Sequence, residues 1–219
     1  MFKARRDLES TVNYQLVIFD FDGTLADSIP WMEAAFNGVA DRFGFRRLEQ
    51  GEARVLRGLG PRAAMRHLGI PLWKVPSIAR HVRERMAANL DEIKLFEGAR
   101  LLLETLAARG TVVGIASSNS RETVCSLLGP ESAACVSYYE CGVSLFGKAT
   151  RLHRILAVSG IPCRRAILVG DELRDLEAAR CCGIAFGAVT WGFATPESLI
   201  QGGPDEVFSR MDQIADRLA

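Results

Sequence analysis

The sequence predicts an α/β fold: a doubly wound parallel sheet, Rossmann-like in its core, into which a helical cap is inserted. Three observations lead there. The segments Leu16 to Asp20, Val112 to Ser117, Ala166 to Asp171 and Ile184 to Thr190 are short, apolar and rich in β-branched residues, as buried strands are. Beyond Thr111 they alternate with stretches of helical periodicity, and such alternation produces a parallel sheet covered on both faces. Between the first strand and Val112 lies a long stretch with helical patterns and no convincing strand.

Each element follows in order. Met1 to Asn13 is expected to be a short leader: Lys3, Arg5 and Arg6 are followed by Asp7 and Glu9 and by no apolar run, which argues against a secretory signal. After the first strand, Trp31 to Phe43, Arg62 to His67 and Ile78 to Leu90 carry the helical spacing. Gly58, Gly60, Pro61, Gly69 and Pro71 punctuate them as loops between short helices would. Ala99 to Ala108, after Gly98, returns the chain to the main unit. The expected organisation is a main α/β unit of residues 1–28 and 94–219 and an inserted helical unit of residues 29–93.

From Val112 onward the helices are Arg121 to Leu128, Ala149 to Val158 and Leu173 to Cys182, with a weaker strand at Ala134 to Tyr139. Gly202-Gly203-Pro204 marks a loop, followed by a short edge strand, Glu206 to Phe208, and a closing helix, Met211 to Leu218.

The composition restricts the function. With 219 residues, 48% of them hydrophobic and 24% charged, and a mean hydropathy of +0.10, the chain describes an ordinary globular protein. A formal net charge of +1 gives no general attraction to nucleic acid or to an anionic membrane, so any basic site must be local. Apolar runs stop well short of the roughly 20 residues of a membrane helix. The six cysteines form no CxxC pair, and the adjacent Cys181 and Cys182 are badly placed to bridge each other, so reduced thiols in a cytoplasmic protein are expected. The histidines His67, His81 and His153 are scattered and suggest no metal site.

In a doubly wound sheet, ligands gather at the carboxyl ends of the strands. The first strand ends in Asp20-Phe21-Asp22-Gly23-Thr24-Leu25. One carboxylate there can attack phosphorus, and a second, two residues on, can serve as acid and base for the leaving group and for water. Gly23 permits the sharp bend that aims both inward. Ala166 to Gly170 runs into Asp171-Glu172-Leu173-Arg174-Asp175, adding oxygen ligands suited to Mg²⁺, a cation that would offset the repulsion between an aspartate and an anionic ester.

Ser117-Ser118-Asn119 ends the second strand, where hydroxyls and backbone N–H groups could cradle phosphate oxygens; Ser118 and Asn119 could equally cap the next helix. Lys148, at the expected start of a helix, could balance the carboxylates. For Trp191-Gly192-Phe193, core packing is the expected use of the rings.

The order Asp20-x-Asp22-Gly-Thr-Leu, Ser117, Lys148, Gly170-Asp171-x-x-x-Asp175 resembles the four motifs of the haloacid dehalogenase superfamily, from about Leu16 to Phe193. The helical insert looks like the cap of its phosphoglycolate phosphatase and β-phosphoglucomutase branch. The resemblance implies Asp20 as nucleophile and metal ligand, and Asp22 as acid/base with its backbone carbonyl on the metal. It further implies Ser117 as a phosphoryl ligand, Lys148 as the neutralising cation, Asp171 as a Mg²⁺ ligand, and Asp175 as a water-mediated or supporting one.

Asp22 favours phosphate monoesters, because dehalogenases and phosphonatases of the superfamily lack that aspartate. Glu172 departs from the small or neutral residue of many relatives. Arg57-Gly58-Leu59-Gly60-Pro61-Arg62 resembles the loop with which such caps face the substrate, offering Arg57 and Arg62 as substrate contacts. The implied protein is a Mg²⁺-dependent phosphatase acting on a small phosphorylated metabolite, as monomer or homodimer, with no nucleic acid or membrane partner. A phosphosugar mutase using the same residues, or a non-catalytic phosphate-binding protein, are the alternatives.

Overall fold

The computed structural model describes residues 13–59, 61–142 and 147–218, so the expected leader before Asn13, Gly60 and Phe146 lie outside the described residues. The strands are β1 Leu16–Phe19, β2 Ala26–Asp27, β3 Lys94–Leu95, β4 Val112–Ala116, β5 Tyr138–Glu140, β6 Ala166–Gly170, β7 Ala185–Val189 and β8 Glu206–Phe208. All but β2 and β3 join one parallel sheet in the order β5-β4-β1-β6-β7-β8. The reversal of direction in that order falls beside β1, which pairs with β4 on one side and β6 on the other. Leu16 stands opposite Val112 and Ala166, and Phe19 opposite Ile115 and Val169. Asp20 extends the ladder by donating its N–H to the Val169 carbonyl at 2.9 Å. The residues that follow β1, β4 and β6 therefore converge at one edge.

All four residues of β1 are fully buried, because side chains that alternate between two covered faces must be apolar on both. Val17 and Phe19 join the larger core cluster, while Leu16 and Ile18 face the other. The helices are α1 Ile29–Phe43, α2 Glu52–Arg57, α3 Pro61–His67, α4 Val75–Ala87, α5 Ala99–Ala108, α6 Arg121–Leu128, α7 Pro130–Ala134, α8 Lys148–Ser159, α9 Leu173–Cys182, α10 Pro196–Gly202 and α11 Asp212–Leu218. The Val17 face packs side chains of α5, α6 and α11, and the Leu16 face those of α8, α9 and α10. Trp31 and Ala35 of α1 and Met86 of α4 continue the first cluster, so the helices between β2 and β3 are anchored to the sheet by apolar contact.

Several expectations shift. Both α1 and α4 begin earlier than the hydrophobic spacing indicates, because Pro30 and Pro76 sit in their first turns, where a missing N–H costs nothing and the fixed φ suits a helix. The expected strand Ala134 to Tyr139 forms only at Tyr138–Glu140. Its first part is the end of α7, set up by Pro130 and Glu131 in that helix's first turn.

The stretch expected to lack strands contains β2 and β3, an antiparallel pair in which Ala26 faces Leu95 and Asp27 faces Lys94. Two residues are too few to show a period of two. The pair ties the exit of the helical segment to its return. Among the described residues no helix is long and apolar enough to cross a membrane.

Candidate active site

The site assembles where β1, β4 and β6 end. Asp20 is 3% exposed, and Asp171, Asp175 and Ser117 are fully buried. One carboxylate oxygen from each of Asp20, Asp171 and Asp175 lies within 4.8 Å of the others. Lys148, at the first position of α8, reaches across from the next helix: its Nζ is 2.9 Å from Asp20 Oδ1 and 2.6 Å from Asp175 Oδ1. Asp20 Oδ1 also accepts the Phe21 N–H at 2.8 Å, whereas Asp20 Oδ2 is buried without a hydrogen-bond partner among the described residues. Three buried carboxylates thus face one ammonium. This imbalance is costly in a medium of low dielectric unless a further cation joins them.

The electrostatics follow from that packing. Burial pushes the Asp20 carboxyl up to about 7, against the opposing pull of Lys148. Asp171 is driven well above the usual carboxylate range by burial first, then by the charges of Glu172, Asp20 and Asp175. Burial also raises Asp22, restrained by Ser28, whose hydroxyl stands beside it outside hydrogen-bond geometry, and by Asn119. Asn119 Nδ2 donates to Asp22 Oδ2 at 2.9 Å.

Local structure holds each group. Gly23 adopts φ +74°, and a Cβ there would lie 2.2 Å from Asp171 Oδ2, so the bend after Asp22 requires glycine for both conformation and space. Asp171 accepts from Thr24 Oγ1 at 2.9 Å and from the Phe193 N–H at 2.7 Å. Trp191 Nε1 in turn donates to the Thr24 carbonyl at 3.1 Å. Glu172 caps α9 in a reciprocal pair with Asp175, whose Oδ2 accepts the Glu172 N–H at 3.2 Å. The extra negative charge of Glu172 is closed by Arg174, at 2.9 Å from Nε and 2.5 Å from Nη2.

A built Cβ at Gly192 would fall 2.1 Å from Asp171 Cβ. Gly192→Ala must therefore displace the 191–193 loop or Asp171. Overpacking of this kind costs about 1–3 kcal/mol, so a melt should fall by roughly 2–12 °C for a chain of this size. An unchanged melting temperature would mean that the loop moves aside without resistance.

The structure brings Asp20, Asp22, Ser117, Asn119, Lys148, Asp171 and Asp175 together at this edge. Ser117 Oγ accepts the Asn119 N–H at 3.0 Å, and Ser120, rather than Ser118 or Asn119, caps α6 by accepting the Thr123 N–H at 3.2 Å. Ser118 is left facing a cavity of about 330 Å³ that it shares with Asp22, Asn119, Arg174, Phe193 and side chains of α1, α3 and α4.

Arg57 and Arg62 are not among the residues of that wall. Arg57 donates to the carbonyls of Phe193 at 2.8 Å and Gly192 at 2.6 Å, latching α2 onto the loop that holds Asp171, and Arg62 is exposed on α3. Sequence reasoning passed over Thr24, Ser28, Arg174 and the Phe193 backbone. Arg174 stood inside the Gly170-to-Asp175 motif, one turn from Asp171, and its charge was the available signal. The backbone contact of Phe193 had none.

The chain is similar to known proteins in sequence and in fold. Residues 17–189 match the family model described as haloacid dehalogenase-like hydrolase. A phosphoglycolate phosphatase of Synechococcus elongatus is 35% identical over 192 residues, covering 87% of this chain and 91% of that protein. A 5'-nucleotidase of Pseudomonas aeruginosa is 26% identical over 204 residues, 87% of this chain and 89% of that one. Among solved structures, a haloacid dehalogenase-like family hydrolase from Streptococcus pneumoniae superposes with a TM-score of 0.75 at 23% identity, covering 93% of this chain and 97% of that one.

Proposed function

Since this chain belongs to the haloacid dehalogenase-like hydrolases, we propose that it is a Mg²⁺-dependent phosphatase that hydrolyses a small phosphate monoester through an aspartyl-phosphate on Asp20. The observation that carries this reading is the buried Asp20 Oδ2, without a hydrogen-bond partner among the described residues, beside two further carboxylates and one lysine. An oxygen so placed is available to phosphorus or to a hard cation. The 35% identical phosphoglycolate phosphatase supports the reaction class.

The donor set fits Mg²⁺: all-oxygen, acidic and short of positive charge. Asp20, Asp171 and the backbone carbonyl of Asp22 would hold the ion, with Asp175 supporting the shell, since its oxygens already serve Lys148 and the Glu172 N–H. When bound, the ion supplies the positive charge that lets an anionic ester approach a carboxylate.

The chain's own residues carry the rest. Ser117 and the N–H groups of the turn into α6 hold the phosphoryl oxygens. Asp20 forms the acyl phosphate as Asp22 gives a proton to the departing alkoxide. Asp22, held by Asn119, then takes a proton from water as that water attacks phosphorus and returns Asp20 to its carboxylate. Lys148 keeps Asp20 oriented and compensated throughout. Residues 29–93 act as a cap that excludes bulk water from the chamber.

The test is phosphate release from a panel of small monoesters with and without Mg²⁺. Metal-dependent release is expected, and no release from any ester by the folded protein would overturn the reading.

A second expectation concerns the metal alone. Because the folded-state values of Asp20, Asp22 and Asp171 are raised, the stability that these three groups contribute to the apo protein is fully present only below their unfolded range. It is lost as pH climbs through about 7 for Asp20. Mg²⁺ should therefore raise the melting temperature more at pH 8 than at pH 5. With the ion at about 100 times its Kd the gain is about 2.7 kcal/mol, or roughly 5–10 °C. Equal shifts at both pH values would place the ion elsewhere.

A further inference from the structure

The cavity of about 330 Å³ over Asp22 is walled unevenly. Its core side is polar: Asp22, Ser118, Asn119 and the closed Arg174–Glu172 pair. Its other side is mainly one stripe of α4, Val75, Ile78, Ala79, Val82, Arg83 and Met86, at the three- and four-residue spacing of a single helix face. An apolar stripe ordinarily seals against protein. Here it borders a space that opens onto the proposed acid/base, and Met32, Met65 and Ile70 extend the apolar surface.

The one charge in that stripe is Arg83, which is partly buried and has no ion pair or hydrogen bond among the described residues. Other arginines near the site are committed. Arg174 is bound to Glu172, and Arg57 to the Gly192 and Phe193 carbonyls on the wall of an adjoining cavity of about 220 Å³ that meets the first at Met32, Glu172 and Phe193. A guanidinium left without a partner in an apolar wall is poised for a planar anion that the protein itself does not provide.

We infer that Arg83 is a specificity-determining residue, and that the substrate is a phosphate monoester whose leaving group carries a second anionic group, a carboxylate or another phosphate, on a body with apolar surface. The assignment rests on the hydrolase reading for the position of the ester. The phosphate occupies the Ser117–Asn119 end, the body lies along α4 and Phe193, and the second anion meets Arg83. This shifts the expected cap contact from Arg57 and Arg62 to α4. Each methylene of the body laid against the stripe is worth about fourfold in affinity.

The experiment compares the intact protein with Arg83→Met and Arg83→Lys. One readout is kcat/KM on ω-carboxyalkyl phosphates, ω-phosphoalkyl phosphates and plain alkyl phosphates of equal length. The other is calorimetric binding of the corresponding non-hydrolysable phosphonates in the presence of Mg²⁺. The preference for the doubly anionic series over the alkyl series should fall about 10–100-fold in Arg83→Met, through KM more than kcat, with partial recovery in Arg83→Lys. Whichever anion shows the larger fall identifies the second group.

An equal loss on all series, or an unchanged preference, overturns the assignment. Failure of the hydrolase reading is separable. If no ester is cleaved, the phosphonate titrations still decide: a preference that Arg83→Met abolishes upholds Arg83, and one that it leaves intact removes it.

Discussion

Asp20→Asn is expected to lower phosphate release by about 10⁴-fold or more while leaving the protein folded. The substitution keeps the shape of the side chain and removes the carboxylate that would form the acyl phosphate. A carboxamide oxygen is too weak a nucleophile to replace it. The fold should not suffer, because the native carboxylate is held under strain. Burial raises it to about 7, so its ionisation opposes folding progressively as pH rises from the unfolded value.

At pH 8 and without Mg²⁺ the variant should therefore melt at or above the intact protein, and its gain on adding Mg²⁺ should shrink. Retention of activity within tenfold would remove Asp20 from the nucleophile's role. Loss of activity together with a large fall in melting temperature would mean that the substitution acts on the fold.

The second large effect is expected at Lys148. Its ammonium lies between Asp20 and Asp175, itself 6% exposed, and the charges of those carboxylates keep its own proton bound against the cost of burial. Lys148→Met preserves most of the stem's packing and leaves the carboxylates facing one another uncompensated. Removing one partner from such a buried group costs about 3–5 kcal/mol, visible as a lower denaturant midpoint at pH 8.

The sign with pH is fixed by the same charges. As pH falls, Asp20 takes up a proton, one of the two bare negative charges disappears, and the gap between variant and intact protein should narrow by pH 5. Activity should fall by about 10²–10³-fold. A stability penalty equal at both pH values would show that lost packing, and not lost charge compensation, is its source.

Much of this protein follows from its sequence because the decisive signals are local. β1 is legible because a strand buried on both faces has to be apolar at every position, and Leu16-Val-Ile-Phe19 is. Asp20, Asp22 and Gly23 are legible because a carboxylate pair at the tip of such a strand, followed by a glycine with φ +74°, has few structural uses. The helices with clean boundaries, Ala99–Ala108 and Arg121–Leu128, are preceded by Gly98 and Ser120, each with a local reason to start a helix there. Where proline stands in the first turn, as in α1 and α4, hydrophobic spacing alone places the start too late.

The remainder depended on contacts between distant positions. Thr24, Trp191 and Phe193 hold or support Asp171 through bonds that cross the chain, including one to a backbone N–H whose position no side chain announces. Arg57 and Arg83 have the same chemistry in the sequence. Only packing decided that one closes on two backbone carbonyls while the other lines the chamber over Asp22 with no partner among the described residues.

The sequence by itself determined the four buried strands β1, β4, β6 and β7, the alternation with helices that makes their sheet parallel, and the acidic groups at its carboxyl edge, since these arise from periodicity and from residues adjacent in the chain. The tertiary structure alone decided which charges are compensated, which loop buttresses Asp171 and which arginine faces the chamber. Burial and the partner of a charged group are properties of three-dimensional neighbours, and these set the free energy of each carboxylate and guanidinium.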